Sequence, residues 1–415
     1  MTTVDIDGLE LQTWIDELAA FSDASPPAVT RVLFSDEDLE ARAWVRRRCE
    51  AEGLNVRDDA VGNLFARWQG DDDDAPAVAT GSHIDAIPHA GRYDGVVGVL
   101  GGLAAIRALR RAGFRPRRSL ELIVFTAEEP TRFGLGCLGS RLLSGALSPD
   151  RAALLKDTDG HSLEFWRDRA GLAGRDLSSV RIADRDYAAF LELHIEQGPL
   201  LENTGTSIGA VHAIAGPSSY RVRLTGEGGH AGAVLMADRH DAGLAAAEIA
   251  LAVERAAVTS GSPDTVGTTG VFRQLPNAIN SIPFDVTLEI DVRDTDLGRR
   301  SRTWEEVAAA IAEIGARRGV RWSIETINAD PPATCAPALV ETVTRTCSEL
   351  GIPVQRMVSR AYHDALFMAQ VCPTTMIFIP CRGGVSHRPD EYASPQDVAI
   401  GATVLAHVLA HLSAT

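Results

Sequence analysis

The residues best able to do chemistry lie in five short polar motifs, each of which follows an apolar, strand-like run. The motifs carry His83 with Asp85, Asp94, Glu128 with Glu129, His194, and His387. Imidazoles and carboxylates in this combination are the ligands that a pair of borderline divalent metals prefers. The residue types therefore predict a metal-dependent hydrolase.

Each motif also has a structural interpretation when it is taken alone. A histidine at a strand end with a nearby acid, as at His83 and Asp85, is more often structural, although the acid can accept the second imidazole N–H and fix the tautomer. Asp94 precedes a helix rich in small residues and can serve as its N-cap. Glu128 and Glu129 repel each other unless a cation or a shared proton offsets the repulsion, so one is expected to be a ligand and the other a base.

The position of these residues relative to the apolar strands favours the metal site. Four strand-like runs each lead at the carboxyl end to a His or a Glu, namely His83, Glu128, His194 and His387. In open α/β sheets, ligands bind beyond the carboxyl ends of the strands. The coincidence of four such ends predicts that the side chains meet at one edge of a sheet.

The composition is that of an ordinary globular protein. A chain of 415 residues is long for one core and suggests two domains, and its net charge of −16 argues against nucleic acid or an anionic membrane as a partner. The acidic N-terminus does not resemble a secretory signal, and no apolar stretch is long enough to span a bilayer. Six scattered cysteines are typical of free thiols in a reducing cytoplasm.

The order of apolar and amphipathic segments predicts an α/β domain that is interrupted by a second domain. Strand-like and helical segments alternate from Val56 to His194, and the pattern becomes βαββαβ after Gly216. The strands of this second region are predicted at 220–225, 265–274, 284–291 and 321–327, and its helices at 241–259 and 303–318. We therefore expect a mixed-sheet α/β catalytic domain of residues 1–214 and 330–415, with an inserted ferredoxin-like lid of residues 215–329.

Eight motifs spread over nearly the whole chain resemble those of one enzyme family. They are GSHIDAIP, YDGVVGVLG, FTAEEPTRFG, LELHIEQGP, GGHAGAVLM, NAINSIP, EIDVRD and SHRPDEY. In order and spacing they are similar to the amidase branch of the M20-like binuclear metallopeptidases. That branch holds N-carbamoyl-L-amino acid hydrolases, allantoate amidohydrolases and ureidoglycolate amidohydrolases, and the resemblance implies a di-metal aminopeptidase-like fold for the catalytic domain.

Within this branch, three segments look most like those of ureidoglycolate amidohydrolases. They are FSDASPPAVTRVLFSDED, GGHAGAVLMADRHDAGLAAAE and SRAYHDALFMAQ. The other members tend to have glycine at the position of Tyr362. A phenol there is expected to narrow the pocket toward a smaller substrate, although a tyrosine at this position can also serve packing alone.

The resemblance implies a role for each metal-binding candidate. His83, Asp94 and His194 would hold one metal ion. Asp94 would bridge to a second ion, whose ligands Glu129 and His387 would complete. Manganese is the expected metal, and a His/carboxylate site without thiolates also accepts zinc, cobalt or nickel.

The same resemblance assigns the catalytic groups. Glu128 would be the general base that takes a proton from the attacking water and passes it to the leaving nitrogen. His230 would stabilise the oxyanion, arriving on the lid from the partner subunit of a homodimer. From the residues alone, the glycine-rich loop around His230 favours a flexible surface turn.

Substrates of this branch carry a carboxylate beside a ureido or amidino group. Arg293 offers a bidentate fork for the carboxylate, and Asn280 offers amide hydrogen bonds. Arg293 lies in an acidic run, however, and a surface ion pair is an equal alternative. By family position, Gln197 and His363 also belong to the substrate pocket, together with Tyr362.

These expectations combine into a hydrolase of carbon–nitrogen bonds in linear amides and amidines. The expected reaction is hydrolysis of (S)-ureidoglycolate, which releases ammonia and leads to glyoxylate in purine catabolism. Allantoate and N-carbamoyl-L-amino acids are the alternative substrates. A peptidase or aminoacylase of the same fold would need an apolar pocket in place of Arg293, and a non-catalytic binding protein would normally lack a ligand or the base.

Overall fold

The chain folds into two compact units. The structure, a computed structural model, describes residues 4–183 and 185–414. The larger unit comprises Met1–His212, Cys335–Met357 and His363–Thr415, and the smaller unit comprises Ala213–Thr334 and Val358–Tyr362. Residues 1–3, at the start of the segment compared with a secretory signal, lie outside the described residues. So do position 184, within the first segment of the expected catalytic domain, and position 415, at the end of its second segment.

The helices and strands are numbered in chain order. The strands are β1 (Val29–Arg31), β2 (Asn55–Asp58), β3 (Leu64–Trp68), β4 (Ala77–His83), β5 (Ala86–Ala90), β6 (Leu120–Phe125), β7 (Tyr187–Ile195), β8 (Ile208–Ile214), β9 (Gly216–Thr225), β10 (Gly229–His230), β11 (Val266–Leu275), β12 (Ser281–Ile282), β13 (Asp285–Asp294), β14 (Arg321–Ala329), β15 (Ala333–Thr334), β16 (Val354–Ser359) and β17 (Thr374–Ile379). The α-helices are α1 (Gly8–Ala19), α2 (Asp36–Ala51), α3 (Val96–Arg111), α4 (Leu138–Ser144), α5 (Pro149–Ala153), α6 (Leu163–Arg169), α7 (Leu200–Thr204), α8 (Ala242–Val258), α9 (Leu297–Arg318), α10 (Pro337–Leu350), α11 (Asp364–Met368) and α12 (Pro395–Ser413).

The larger unit is built on a mixed β-sheet. Its strands lie in the order β8-β17-β7-β4-β6-β3-β2, with β16 beside β8. The neighbours β17, β7, β4 and β6 are parallel, and the flanking pairs are antiparallel. Strands β4, β6 and β17 are buried along their whole length, as their continuous apolar sequences predict. The carboxyl ends of four neighbouring parallel strands therefore lie along one edge of the sheet.

Helix α3 packs unusually close to this sheet because small residues face it. A Cβ atom added at Gly98 would lie 2.4 Å from the carbonyl oxygen of Leu193, and one added at Gly101 would lie 2.7 Å from the same leucine's side chain. Positions three residues apart share one face of a helix, so these glycines form the contact stripe. The close packing fixes the start of α3, and with it Asp94, against β4 and β7.

The smaller unit contains a four-stranded antiparallel sheet with two long helices. The chain runs β9, α8, β11, β13, α9 and β14, with the short β10–β12 pair added, and the sheet order is β11-β13-β9-β14. Strand β13 alternates buried and partly exposed residues, which matches the alternation of its sequence. Its buried side chains Val286, Leu288, Ile290 and Val292 pack in one core with those of α8 and α9.

The mixed α/β class predicted from the sequence is confirmed. The expected strands and helices of the smaller unit are all present, with ends that differ by a few residues, and α9 begins earlier than expected, at Leu297. The sequence pattern places the domain boundaries after residues 214 and 329, whereas the unit boundaries fall after His212 and Thr334. Within residues 4–183 and 185–414, no helix has the length and apolar character that crossing a membrane requires.

Candidate metal centre

Three side chains from neighbouring elements converge at the edge of the larger sheet. His83 ends β4, His194 lies near the end of β7, and Asp94 directly precedes the first turn of α3. The Oδ1 atom of Asp94 lies 3.4 Å from Nε2 of His83 and 3.2 Å from Nε2 of His194. Two imidazole nitrogens and one carboxylate at this spacing form a group that can hold a divalent ion.

A second group shares Asp94 with the first. Nε2 of His387 lies 3.5 Å from Oδ2 of Asp94 and 3.3 Å from Oε1 of Glu129. Glu129 follows β6 and His387 lies in the loop after β17, so four strand ends contribute as the sequence predicts. Because the two oxygens of Asp94 face different groups, its carboxylate stands between two candidate ion positions.

Hydrogen bonds at Nδ1 direct Nε2 of His83 and of His194 toward the cluster, where Nε2 of His194 accepts the backbone N–H of Gly95 at 3.1 Å. Nδ1 of His83 lies 3.0 Å from the carbonyl oxygen of Asp85, and Nδ1 of His194 lies 2.8 Å from that of Ile195. A carbonyl only accepts, so each Nδ1 carries the hydrogen and each Nε2 presents a lone pair. Nε2 of His83 is buried and has no hydrogen-bond partner. A buried, unpaired acceptor aimed at carboxylates fits a site for a cation.

Gly95, not Asp94, is the N-cap residue of α3, so the structural alternative for Asp94 is wrong. Gly95 has a φ of 65° and no side-chain cap. A Cβ atom at this position would lie 2.4 Å from Nε2 of His83, and the positive φ also disfavours other residues. The carboxylate of Asp94 is therefore directed into the cluster rather than onto the helix.

The carboxylate of Asp85 supports the two glutamates more directly than it supports His83. Its oxygens accept the backbone N–H of Glu128 at 3.3 Å and of Glu129 at 3.1 Å. The Oδ1 atom of Asp85 lies 3.6 Å from Nδ1 of His83, which is farther from this nitrogen than the carbonyl oxygen of Asp85. The residue before the two glutamates, Ala127, has a φ of 53°, so this turn is sharp and needs such support.

Electrostatics at the cluster show an excess of buried negative charge. Burial and the neighbouring Asp94 raise the pKa of Glu129 to about 8. Burial also raises the pKa of Glu128 well above its usual value, against the opposing effect of His83. For Asp94, burial is outweighed by His194 and His83, which hold its pKa well below the usual range. Acids this close need compensating positive charge, which divalent cations supply.

Glu128 faces the cluster without belonging to either three-residue group. Its Oε2 atom lies 3.6 Å from Nε2 of His83, and its Oε1 atom accepts a weak hydrogen bond from the thiol of Cys137 at 3.7 Å. The side chain is almost fully buried. Of the two adjacent glutamates, Glu129 thus approaches His387 and Glu128 remains available for proton transfer.

Gln197 and His363 also lie at this cluster. The amide nitrogen of Gln197 donates to Oδ2 of Asp94 at 2.6 Å. The ring of His363 lies 4.5 Å from the ring of His194, centroid to centroid, and is 2% exposed. The structure therefore brings together eight residues singled out from the sequence, namely His83, Asp94, Glu128, Glu129, His194, Gln197, His363 and His387.

The smaller unit holds the remaining candidates in two pairs. His230 and Asn280 are both exposed, and the β10–β12 pairing brings them together, because the backbone N–H of Ala231 donates to the carbonyl of Asn280 at 2.9 Å. Arg293 donates to Asp291 at 2.6 Å, as the ion-pair alternative predicts. Its guanidinium also lies 5.5 Å from the ring centre of Tyr362, so Arg293 has a neighbour among the other candidates as well.

Sequence reasoning missed buried acids beside the cluster, among them Glu391 and Glu192. Glu391 accepts the backbone N–H of Asp94 at 3.1 Å, and Glu192 accepts the hydroxyl of Ser82 at 2.7 Å and the backbone N–H of Ala365 at 2.9 Å. A signal existed for Glu192, since a lone acid between two leucines in an apolar strand must find buried partners. For Glu391 the only signal was its place five residues after Ser386 in the last motif.

Comparison with known proteins gives consistent similarities. Residues 79–411 match the family described as Peptidase family M20/M25/M40. The chain is 54% identical over 417 residues to a ureidoglycolate hydrolase of Oryza sativa subsp. japonica, covering 99% of this chain and 85% of the relative. It is 36% identical to an N-carbamoyl-L-amino-acid amidohydrolase of Pseudomonas sp. (strain NS671), with 98% of each chain covered. Crystal structures of AtUAH with glyoxylate and with (S)-hydroxyglycine match at a TM-score of 0.91 and 51% identity, covering 99% of this chain and 98% of theirs.

Proposed function

The chain belongs to peptidase family M20/M25/M40, and from this premise we propose that it is a metal-dependent amidohydrolase acting on (S)-ureidoglycolate. The observation that carries the proposal is the pair of ligand groups joined at Asp94, in a chain 54% identical along almost its whole length to a ureidoglycolate hydrolase. Hydrolysis of the ureido carbon–nitrogen bond would release ammonia and lead to glyoxylate. Both molecules bound in the AtUAH structures, glyoxylate and (S)-hydroxyglycine, are small two-carbon acids of the kind this reaction yields.

The metal ligands follow from the two groups. We assign His83 and His194 to one ion, Glu129 and His387 to the other, and Asp94 to both. The donors are imidazole and carboxylate without thiolate, which suits manganese and also zinc, cobalt or nickel. When bound, the metals would polarise the substrate and make a water molecule more acidic.

The chain's own residues then perform the proton transfers. Glu128 takes a proton from the attacking water and delivers it to the nitrogen that leaves, since its carboxylate faces the cluster. Asp85 accepts the backbone N–H groups of both Glu128 and Glu129 and so fixes the turn from which their side chains point in different directions. His230 donates a hydrogen bond to the oxygen on which negative charge develops.

Residues of the smaller unit are assigned to the substrate. Arg293 and Asn280 are assigned to its carboxylate. In the larger unit, Gln197 and His363 are assigned to substrate contacts beside the metal ligands. The cation–π contact between Arg293 and Tyr362 supports this assignment, because it orients the guanidinium, whose Nε donates to Asp291.

Tyr362 is expected to control substrate size. Tyr362→Gly should shift the ratio of kcat/KM values for ureidoglycolate and an N-carbamoyl-L-amino acid by about 10- to 100-fold toward the larger substrate, the range that pocket shape commonly provides. Steady-state kinetics on both substrates measure this ratio, and Tyr362→Phe, which removes only the hydroxyl, is the control. An unchanged ratio in the glycine variant would show that Tyr362 serves packing alone.

We propose further that the smaller unit is a lid and forms a homodimer, so that His230 acts on the partner's site. Co-expression of the His230→Ala and Glu128→Gln chains is then expected to restore about a quarter of wild-type activity, since half of the dimers are mixed and each has one intact site. The matched control is Asp94→Asn co-expressed with Glu128→Gln. Both changes lie in the larger unit, so each chain's own site is defective and no activity should be restored. Failure of the first pair would place His230 in its own chain's site.

The experiment that tests the proposed reaction compares substrates. Manganese-reconstituted protein is given ureidoglycolate, allantoate and an N-carbamoyl-L-amino acid in parallel, and each product is followed. Fastest turnover of ureidoglycolate, lost after chelation and recovered with manganese, is the expected result. Faster turnover of another substrate would contradict the proposed substrate but not the assignment of the metal ligands.

The six cysteines, all free and buried, support a cytoplasmic setting for this reaction.

A further inference from the structure

Glu391 links two loops that lie about three hundred positions apart in the chain. Its Oε1 atom accepts the backbone N–H of Tyr93 at 2.8 Å and of Asp94 at 3.1 Å. Its Oε2 atom lies 3.0 Å from the hydroxyl of Ser386, the residue before His387. The side chain therefore connects the loop of one assigned ligand, Asp94, with the loop of another, His387.

The connection is tight and buried. Glu391 is 4% exposed, and a Cβ atom added at Gly91 would lie 2.3 Å from the Cβ of Glu391. The hydroxyl of Ser386 also lies 2.6 Å from Oδ2 of Asp94, the oxygen that faces His387. Glu391 thus holds Asp94 by its backbone, and through Ser386 it reaches the carboxylate itself.

Asp85 provides an internal comparison. Each of these acids holds two successive backbone N–H groups, those of Glu128 and Glu129 for Asp85 and those of Tyr93 and Asp94 for Glu391. Asp85 ties the loop after His83 to that of Glu129 across 44 positions, whereas Glu391 ties the loop of His387 to that of Asp94 across 297. Outer contacts of this kind orient ligands and commonly change metal affinity 10- to 100-fold.

We propose that Glu391 is a positioning residue that aligns Asp94 with His387 and thereby sets the affinity of the metal position formed by Asp94, Glu129 and His387. This inference rests on the proposed function, because it presumes that the two groups bind metal. The position formed by His83, Asp94 and His194 lacks a ligand from the His387 loop. Loss of Glu391 should therefore weaken one ion more than the other.

Titration of the metal-free protein with manganese, followed by calorimetry, tests the proposal without an activity assay. The wild type is expected to bind two ions, and Glu391→Ala is expected to bind one normally and the other about 10- to 100-fold more weakly. In electron paramagnetic resonance, the signal of a spin-coupled pair should give way to that of isolated ions. Asp390→Ala, which changes an exposed neighbouring acid, is the control.

Two conservative variants separate reach from charge. Glu391→Gln keeps the acceptor for both N–H groups and can donate to Ser386, so it should retain the second ion. Glu391→Asp keeps the charge but is too short to reach both loops, so it should lose affinity for the second ion as the alanine variant does. If the alanine variant does not fold, the comparison of the glutamine and aspartate variants tests the positioning role. Two ions bound with wild-type affinities by the alanine or aspartate variant, or equal weakening of both ions, would overturn the positioning role. Fewer than two ions in the wild type would instead overturn the proposed metal centre.

Discussion

Replacing Glu128 by glutamine is expected to lower kcat about 100- to 10,000-fold, the range over which a positioned general acid–base group contributes. Glutamine has nearly the same size but cannot accept the proton of the attacking water. Because Glu128 belongs to neither ligand group, the variant should keep both manganese ions. Ammonia release at saturating substrate gives kcat, and elemental analysis of the purified protein gives the metal content.

The control for this variant is Glu341→Gln, which changes an exposed glutamate paired with Arg356 and should leave kcat unchanged. Loss of a metal ion in Glu128→Gln would identify Glu128 as a ligand rather than a base. Retention of most of the activity would show that another group accepts the proton.

Asp94→Asn is expected to remove both metal ions more completely than any other single change. The carboxylate lies within 3.5 Å of three histidine nitrogens, two through Oδ1 and one through Oδ2. Asparagine presents one oxygen and one NH₂ group, so it can serve one ion at most and repels the other. We expect manganese affinity to fall by more than about 100-fold, beyond the effect usual for an outer contact, and turnover to be lost with it.

Manganese content after dialysis measures this effect, with Asp23→Asn, an exposed acid in the same unit, as the control. Circular dichroism of the metal-free proteins separates metal loss from unfolding. Retention of two ions by Asp94→Asn would mean that Asp94 does not stand between them.

The sequence predicted the convergence of the cluster because strand geometry determines it. His83, Glu129 and His194 each lie at or just past the end of an apolar strand, and three parallel neighbours must present such positions at one edge. No tertiary information beyond strand order was needed. The same argument covers His387, which follows β17 after a short loop.

The supporting contacts were beyond prediction because they join residues that are far apart in the chain. Glu391 meets Tyr93 across 298 positions, and Asn63 donates to the carbonyl of Gly139 across 76. Periodicity describes which face of an element is buried but not which distant loop lies there. The hydrogen bond from Gln197 to Asp94 is another example, since a left-handed φ of 57° at Gln197 directs that side chain.

Segment 358–362 shows the same limit at the level of domains. Nothing in its composition separates it from β16 or α11, yet it belongs to the smaller unit. Two contacts explain this: the backbone N–H of Ala215 donates to the carbonyl of Ser359 at 2.8 Å, and Arg360 pairs with Asp264 at 2.6 Å. Tyr362 and His363 are thus consecutive residues assigned to different units.

That division of the chain restricts how the protein can be recombined. A gene fragment for residues 213–334 would encode most of the smaller unit but omit Tyr362, the neighbour of Arg293. A chimera that exchanges only this fragment with an N-carbamoyl-amino-acid amidohydrolase would therefore join the arginine of one parent to the 358–362 segment of the other. Under the roles proposed for Arg293 and Tyr362, transfer of substrate preference between such relatives requires that segments 213–334 and 358–362 come from the same parent.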